Sequence, residues 1–246
     1  MTGVEATRRK NFAHILDKLE SLIELDGARL LEIGSGSGLF LEQATKRGAC
    51  VIGLEADREA VDVARARGLT VLHGFFPAAL PTAETFEVIA LNDVFEHLPN
   101  PDAGLQLICE ILAPGGVLMI NLPSSGGVFF RVASFLDRLG LHGPYDRLWQ
   151  RGLPSPHLSY FSPSTLDLMV NRQTTLVPVA HIKLVTVSRN GLRERIQSVE
   201  TGLPSPLVFC MVWCLTWILG CLPRDLFASF YRNGGHGVPF AHRSSD

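Results

Sequence analysis

The 246-residue sequence has no cysteine pair at CxxC spacing, no zinc-type pattern of cysteine and histidine, and no apolar run of membrane-spanning length. Its five cysteines, Cys50, Cys109, Cys210, Cys214 and Cys221, are odd in number and scattered, which suits reduced thiols in a cytoplasmic protein. Charge of one sign is also lacking. Twenty-two Lys and Arg stand against 24 Asp and Glu, a net −2, so nothing attracts nucleic acid globally. The first 20 residues are basic in places but carry no apolar run, and they do not read as a secretory signal. The 23 glycines and 15 prolines follow no short period, which removes collagen-like and low-complexity classes. What remains is 46% hydrophobic and 19% charged, enough to bury the core of one compact domain.

Hydrophobic spacing then orders the chain. Phe12, Ile15, Leu16, Leu19, Leu22 and Ile23 share one helical face over 10–25, and Asp26-Gly27 ends that helix. ARLLEIG, CVIGL, TVLH, FEVIAL and GVLMINL are short apolar runs suited to strands buried on both faces. Between them lie helical patterns from Ser37 to Gly48, Asp57 to Arg67 and Pro101 to Leu112, with Pro114-Gly115 as a turn. This alternation predicts an α/β fold with a doubly wound, mostly parallel seven-stranded sheet. Residues 1–25 form an N-terminal helix, 26–123 the core, 124–160 a helical cap insertion, and 161–246 the last helix and strands 6 and 7. Strand 7, DLFASFYRN, is expected antiparallel at the sheet edge beside strand 6. An apolar insertion at 204–223 interrupts this last part. Its run from Leu207 to Leu222 holds no charge but is too short to span. A buried helix, a peripheral helix on a membrane surface and a homodimer contact all stay open.

Chemistry concentrates where strand 1 meets its helix. Glu32-Ile33-Gly34-Ser35-Gly36-Ser37-Gly38 lets the backbone approach a ligand and presents amides at a helix N-terminus. A dinucleotide fingerprint would need glycine at position 39, which is Leu39, so a dehydrogenase is disfavoured. Glu55 ends strand 2, 21 residues after Gly34, where a carboxylate can take both ribose hydroxyls of a nucleoside. The plainer role, capping the next helix, falls better to Asp57.

Together, LLEIGSGSG, GLEADREAVDVARARG, HGFFPAALP, FEVIALNDVFEHLPNP and LAPGGVLMINLP resemble the class I S-adenosylmethionine-dependent methyltransferases. Within that class the sequence is similar to the ubiquinone-pathway O-methyltransferases. Residues 28–122 carry the resemblance, with a looser echo in HLSYFSPSTLDLMV. It implies S-adenosylmethionine across the ends of strands 1, 2 and 4. Gly34, Ser35, Gly36 and Gly38 would lie under the methionine portion, Glu32 by its amino group and Glu55 with Ala56 at the ribose. Gly74 and Phe75 would lie on the adenine side, and Asn92 and Asp93 near the sulfonium.

Methyl transfer from a sulfonium is an in-line displacement in which positioning supplies most of the acceleration, and a base matters when the acceptor is an oxygen nucleophile. His97 is the first candidate base and His157 the second, although both could simply anchor their loops. Asp93, Glu96, His97 and His157 resemble a set that holds a divalent cation in some relatives, but no metal is expected here. Tyr145, Trp149 and Tyr160 suit either an aromatic wall or an ordinary cap core. The expected acceptor is small or lipid-linked, in a cytoplasmic enzyme whose association with a membrane stays open. The alternative is a cofactor-binding scaffold subunit without activity.

Overall fold

The computed structural model describes residues 3–80, 84–185 and 225–234. Seven strands form one sheet: β1 (Arg29–Ile33), β2 (Cys50–Glu55), β3 (Val71–His73), β4 (Phe86–Asn92), β5 (Leu112–Pro123), β6 (Leu176–Leu184) and β7 (Leu226–Asn233). Their order is β3-β2-β1-β4-β5-β7-β6. β1 to β5 pair in parallel, and β7 runs antiparallel to both β5 and β6. Helices α1 (Gly3–Glu20), α2 (Leu39–Thr45), α3 (Arg58–Ala66), α4 (Pro101–Ile111), α5 (Val128–Arg138), α6 (Gly143–Leu148) and α7 (Pro163–Gln173) complete the described chain.

Alternate residues of each central strand enter opposite cores. On β4, Ile89 and Leu91 face a core with Leu105, Ile108, Leu166 and Val170 of α4 and α7. Val88 and Ala90 face the other, with Ile15, Leu16 and Leu19 of α1, Phe40 of α2 and Val61 of α3. This double burial is why the strands read as unbroken apolar runs. Each fully buried Leu, Ile or Phe contributes about 1.5–3 kcal/mol. Side chains start three helices: Asp57 accepts from Glu59 N, Asn100 from Ala103 N, and Ser162 forms a capping box with Thr165.

Several boundaries differ from the sequence expectation. α1 begins near residue 3 instead of 10 and ends at Glu20, with the chain turning before Leu25 packs into the core. β5 starts at Leu112 and absorbs Pro114-Gly115, because a register shift opposite Phe86 and Val88 accommodates them as an irregularity in the ladder. The edge position expected of strand 7 is a correction: β7 lies between β5 and β6, and β6 is the edge strand. Inserted there, β7 buries Ala228 and Phe230 on one face and Phe227 and Tyr231 on the other. The apolar run 207–222, with Cys210, Cys214 and Cys221, lies outside the described residues. Among the described residues no helix is long and apolar enough to cross a membrane.

The cap is tied to the sheet by one carboxylate. Asp225, just before β7 and 6% exposed, accepts from Val128 N at 2.8 Å and Phe129 N at 2.6 Å, and its backbone oxygen accepts from Ser124 N at 2.7 Å. It serves the α5 N-terminus as a capping residue brought from almost 100 positions away in sequence. Asp225→Ala is expected to cost about 2 kcal/mol. A lower urea midpoint together with faster proteolysis after Arg131 and Arg138 checks it; an unchanged midpoint would remove the latch.

Candidate active site

The parallel strands end in a row of polar groups. Glu32 on β1 and Asn92 on β4 are 1% and 4% exposed, and Asn92 Nδ2 donates to Glu32 Oε1 at 2.8 Å. Asn121 on β5, in register with Asn92, donates through Nδ2 to Asn92 Oδ1 at 3.2 Å. Glu32 Oε2 is buried without a hydrogen-bond partner. Burial holds the Glu32 carboxyl at about 8, against the lowering effect of Asn92 and Arg8.

Above this row runs the glycine loop. Gly34, Gly36 and Gly38 have φ of 72°, 52° and 81°. A Cβ at Gly34 would lie 2.2 Å from Val94 Cγ2, so only glycine fits where the loop crosses the segment after β4. Glu55 accepts from Gly36 N at 2.7 Å and Asp57 N at 2.8 Å, bracing the loop against the end of β2. A small cleft opens here, lined by Glu32, Gly34, Ser35, Gly36, Ser37 and Asn92, with Arg8, Phe12, Leu39 and Phe40 completing the wall.

Of the expected cofactor residues, Glu32, Gly34, Ser35, Gly36 and Asn92 meet in that lining, whereas Gly38, Glu55, Ala56, Gly74, Phe75 and Asp93 stand around it. Gly38 packs toward Leu69 at the start of α2. His73 Nε2 contacts Ala56 O at 3.1 Å, and Gly74 N donates to Glu55 O at 2.9 Å, so the β2 and β3 ends form one continuous rim. Phe75 is 74% exposed on that rim. Asp93, at φ 54°, pairs with Arg8 at 3.4 Å across the mouth. Arg8 and Asn121 were not singled out from sequence, and Phe12 was read only as part of the apolar face of the first helix. Arg8 lies before the expected helix start, and Asn121 sits inside an apolar strand where only its register with Asn92 marks it.

The two candidate bases meet each other instead of the cleft wall. His97, in a short 3-10 turn (Phe95–His97), and His157 stack edge to face with ring centroids 4.8 Å apart. His97 Nδ1 lies 2.9 Å from Pro156 O. A carbonyl only accepts, so Nδ1 carries a proton, and Nε2 has no partner among the described residues. His157 is fully engaged. Tyr160 OH donates to Leu148 O, so it accepts from His157 Nδ1, and Gln150 Nε2 meets His157 Nε2 at 2.9 Å. Burial and the neighbouring His97 press His157 down to about 4. Burial and Asp93 push Glu96 up to about 8. At neutral pH the 4.0 Å approach of His157 to Glu96 is therefore a contact between neutral groups, not an ion pair. Ligand atoms of Glu96, His97 and His157 lie within 4.8 Å of one another, and Asp93 is not part of the set. To hold a cation there, His157 would have to release Gln150.

The buried carboxyls give a signed pH prediction. Glu32 and Glu96 both bind protons more tightly folded than unfolded, so their contribution to folding stability falls as pH rises from about 4.5 through about 8, against an opposite contribution from His157 that is complete by about pH 6.5. Glu32→Gln and Glu96→Gln should each flatten part of that fall, by a few kcal/mol at order of magnitude. Urea midpoints of wild type and variants between pH 6 and 8.5 check this, and parallel slopes would refute it.

Comparison with known proteins gives these features a context. A family model described as a methyltransferase domain matches residues 5–173. A ubiquinone biosynthesis O-methyltransferase of Hahella chejuensis is 27% identical over 179 residues, covering 67% of this chain and 73% of that protein. One from Xanthomonas oryzae pv. oryzae is 30% identical over 113 residues, 43% of this chain and 47% of that protein, so the match spans about half of that relative. Among solved structures, magnesium protoporphyrin IX methyltransferase from Synechocystis with bound SAH has a TM-score of 0.62 at 10% identity, covering 94% of this chain and 85% of that one. N-methyltransferase NodS from Bradyrhizobium japonicum has a TM-score of 0.55 at 15% identity, covering 94% and 98%. These two likenesses concern the fold. The family match covers most of the chain and includes the glycine loop and the polar strand ends, and the chain belongs to the class I S-adenosylmethionine-dependent methyltransferases.

Proposed function

We propose that the protein methylates an oxygen nucleophile on a small or lipid-linked acceptor, with the cofactor held where the glycine loop crosses β1, β2 and β4. The observation that carries the placement is Glu32, a buried carboxylate with one oxygen tied to Asn92 and the other unpartnered in the wall of the cleft. An orphaned buried acceptor of this kind is costly unless a donor arrives. The ammonium of a bound amino-acid moiety is such a donor. The glycine loop is compatible with the same group: Gly34, Ser35 and Gly36 line the cleft beside Glu32, and the missing side chain at Gly34 lets the loop pack directly over Val94.

When bound, S-adenosylmethionine supplies an electrophilic methyl on a sulfonium. The chain's own residues hold and orient. Glu32 would accept from the ammonium, and the loop around Ser35 and Gly36 would provide backbone amides. Glu55, at the end of β2, would take the ribose hydroxyls alongside the Gly36 and Asp57 amides it already accepts from, with Ala56, Gly74 and Phe75 toward the base. Asn92 and Asp93 would lie toward the sulfonium. His97 takes the acceptor's proton on Nε2, and its protonated Nδ1 stays anchored on Pro156 O. His157 acts through its packing on His97, since both of its ring nitrogens are engaged. The cap rings Phe130, Tyr145, Trp149 and Tyr160, with centroids 4.8–6.2 Å apart, suit a planar, hydrophobic acceptor. The ubiquinone-pathway names of the relatives favour an oxygen acceptor.

Titration calorimetry with S-adenosylhomocysteine tests the first half of this reading. Wild type should bind in the micromolar range and Glu55→Ala at least about tenfold more weakly. A folded wild type that does not bind would overturn the placement. For the second half, His97→Gln should keep S-adenosylhomocysteine affinity while lowering methyl transfer to a hydrophobic catechol by about 10²–10⁴. Full activity in that variant would remove the base. Cofactor binding with no turnover of any hydroxylated acceptor would favour a scaffold subunit instead.

A further inference from the structure

The cap carries an apolar surface that the methyl-transfer site does not use. On α5, Val128, Val132, Phe135 and Leu139 are 44%, 49%, 60% and 62% exposed. Their spacing places all four within about 60° of arc at 100° per residue. Ala133 marks the packed side, at 3% exposure, and Leu141 extends the stripe just past the helix.

The charge around this stripe is predominantly positive. Residues 124–160 hold four arginines and two aspartates, a positive surplus in a chain of net charge −2. Both aspartates are engaged locally: Asp137 lies 2.6 Å from His142 and Asp146 lies 2.8 Å from Arg151. Arg131, Arg138 and Arg147 are exposed and have no partner among the described residues. Arg131 and Arg138 follow the stripe along one flank, three residues after Val128 and Phe135 respectively. An antiparallel pairing of two α5 stripes would bring these flanks together as like charges, which disfavours a second copy as the occupant.

Topology points the same way. Leu184 pairs with Leu226, and Leu226 with Pro123. The chain between 185 and 225 therefore leaves and re-enters at the sheet edge from which the cap rises, and Asp225 at its return holds the α5 N-terminus. The uncharged sequence 207–222 belongs to this stretch.

We propose that α5 is a docking face for an anionic bilayer surface, with Val128, Val132, Phe135 and Leu139 at the acyl boundary and Arg131, Arg138 and Arg147 among the phosphates. This deepens the reading of a lipophilic acceptor and rests on it for its purpose: the cap would meet the acceptor where it is dissolved.

Co-sedimentation of the full chain with phosphatidylcholine vesicles, with and without roughly one-third phosphatidylglycerol, tests the docking face. Wild type should prefer the anionic vesicles by about fivefold for each arginine engaged, and Arg131→Glu with Arg138→Glu should abolish that preference. Phe135→Ser with Leu139→Ser should weaken binding to both vesicles by about tenfold or more. Both double variants change exposed side chains, and unchanged S-adenosylhomocysteine affinity in them certifies the fold. Wild type remaining in the supernatant would overturn the proposal. So would a Phe135→Ser, Leu139→Ser variant that sediments like wild type, or a dimer dispersed by that variant with no vesicle binding. Vesicle binding by a wild type that ignores S-adenosylhomocysteine would leave the docking face standing and sink only the methyl-transfer placement.

Discussion

The hydrogen bond from Asn92 to Glu32 decides how the centre of the molecule is arranged. A carboxyl buried between β1 and β4 is tolerable only if its lone pairs are answered, and Asn92 Nδ2 answers one oxygen at 2.8 Å. Asn121 extends the contact by donating to Asn92 Oδ1, so one chain of side-chain hydrogen bonds joins β5, β4 and β1. The Asn121 backbone oxygen also accepts from Asp93 N, which steadies the left-handed turn where the chain leaves β4. From there Val94 lies beneath Gly34 and the 3-10 turn carries Glu96 and His97 toward the cap. Orientation thus passes from β5 through β4 to β1, and the cleft inherits its shape from three central strands.

A second set of buried ionisable groups uses the same low-dielectric setting to the opposite end. Glu32 has an open oxygen in a cleft that a cation can enter, so its raised pKa is a state that ligand binding can reverse. Glu96 is enclosed, and the partner nearest to it, His157, is itself held neutral. The pair therefore contributes packing and not charge. Its backbone is as important: Leu158 N and Ser159 N both donate to Glu96 O, docking the end of the cap onto the turn after β4. Of the two histidines, only His97 has a ring nitrogen without a partner among the described residues, which is why proton transfer is proposed for it in preference to His157.

Much of this was legible in the residues, for identifiable reasons. Strands buried on both faces write themselves as short apolar runs, and the glycine loop announces itself because positive φ at Gly34, Gly36 and Gly38 excludes most other side chains. Glu32 was legible as a charge inside an apolar strand. Asn121 was not, because a single amide in GVLMINL looks like ordinary strand sequence until its register with Asn92 is known. Arg8 escaped for a related reason: its partner Asp93 lies 85 positions away, and helical periodicity near the N-terminus is carried by residues after Phe12. Asp225 sits next to an uncharged run whose composition draws attention away from it. The order β5-β7-β6 depends on long-range pairing, which local pattern does not encode. The pairing of β7 with both neighbours buries Phe227 and Tyr231 on one face and Ala228 and Phe230 on the other.

That inserted antiparallel strand explains why this end of the fold can carry so much extra chain. A parallel neighbour must be reached by a crossover that occupies one face of the sheet. The β6 to β7 connection instead starts and ends on paired residues, Leu184 and Leu226, at a single edge. The ladders on both sides of β7 and the Asp225 clamp hold both ends of that connection in place. The cap between β5 and α7 opens from the same edge. Glu32, Asn92 and the glycine loop sit on or beside β1 and β4, whose pairing with each other and with β2 and β5 neither connection interrupts, so the polar row at the strand ends is set by the parallel half of the sheet alone.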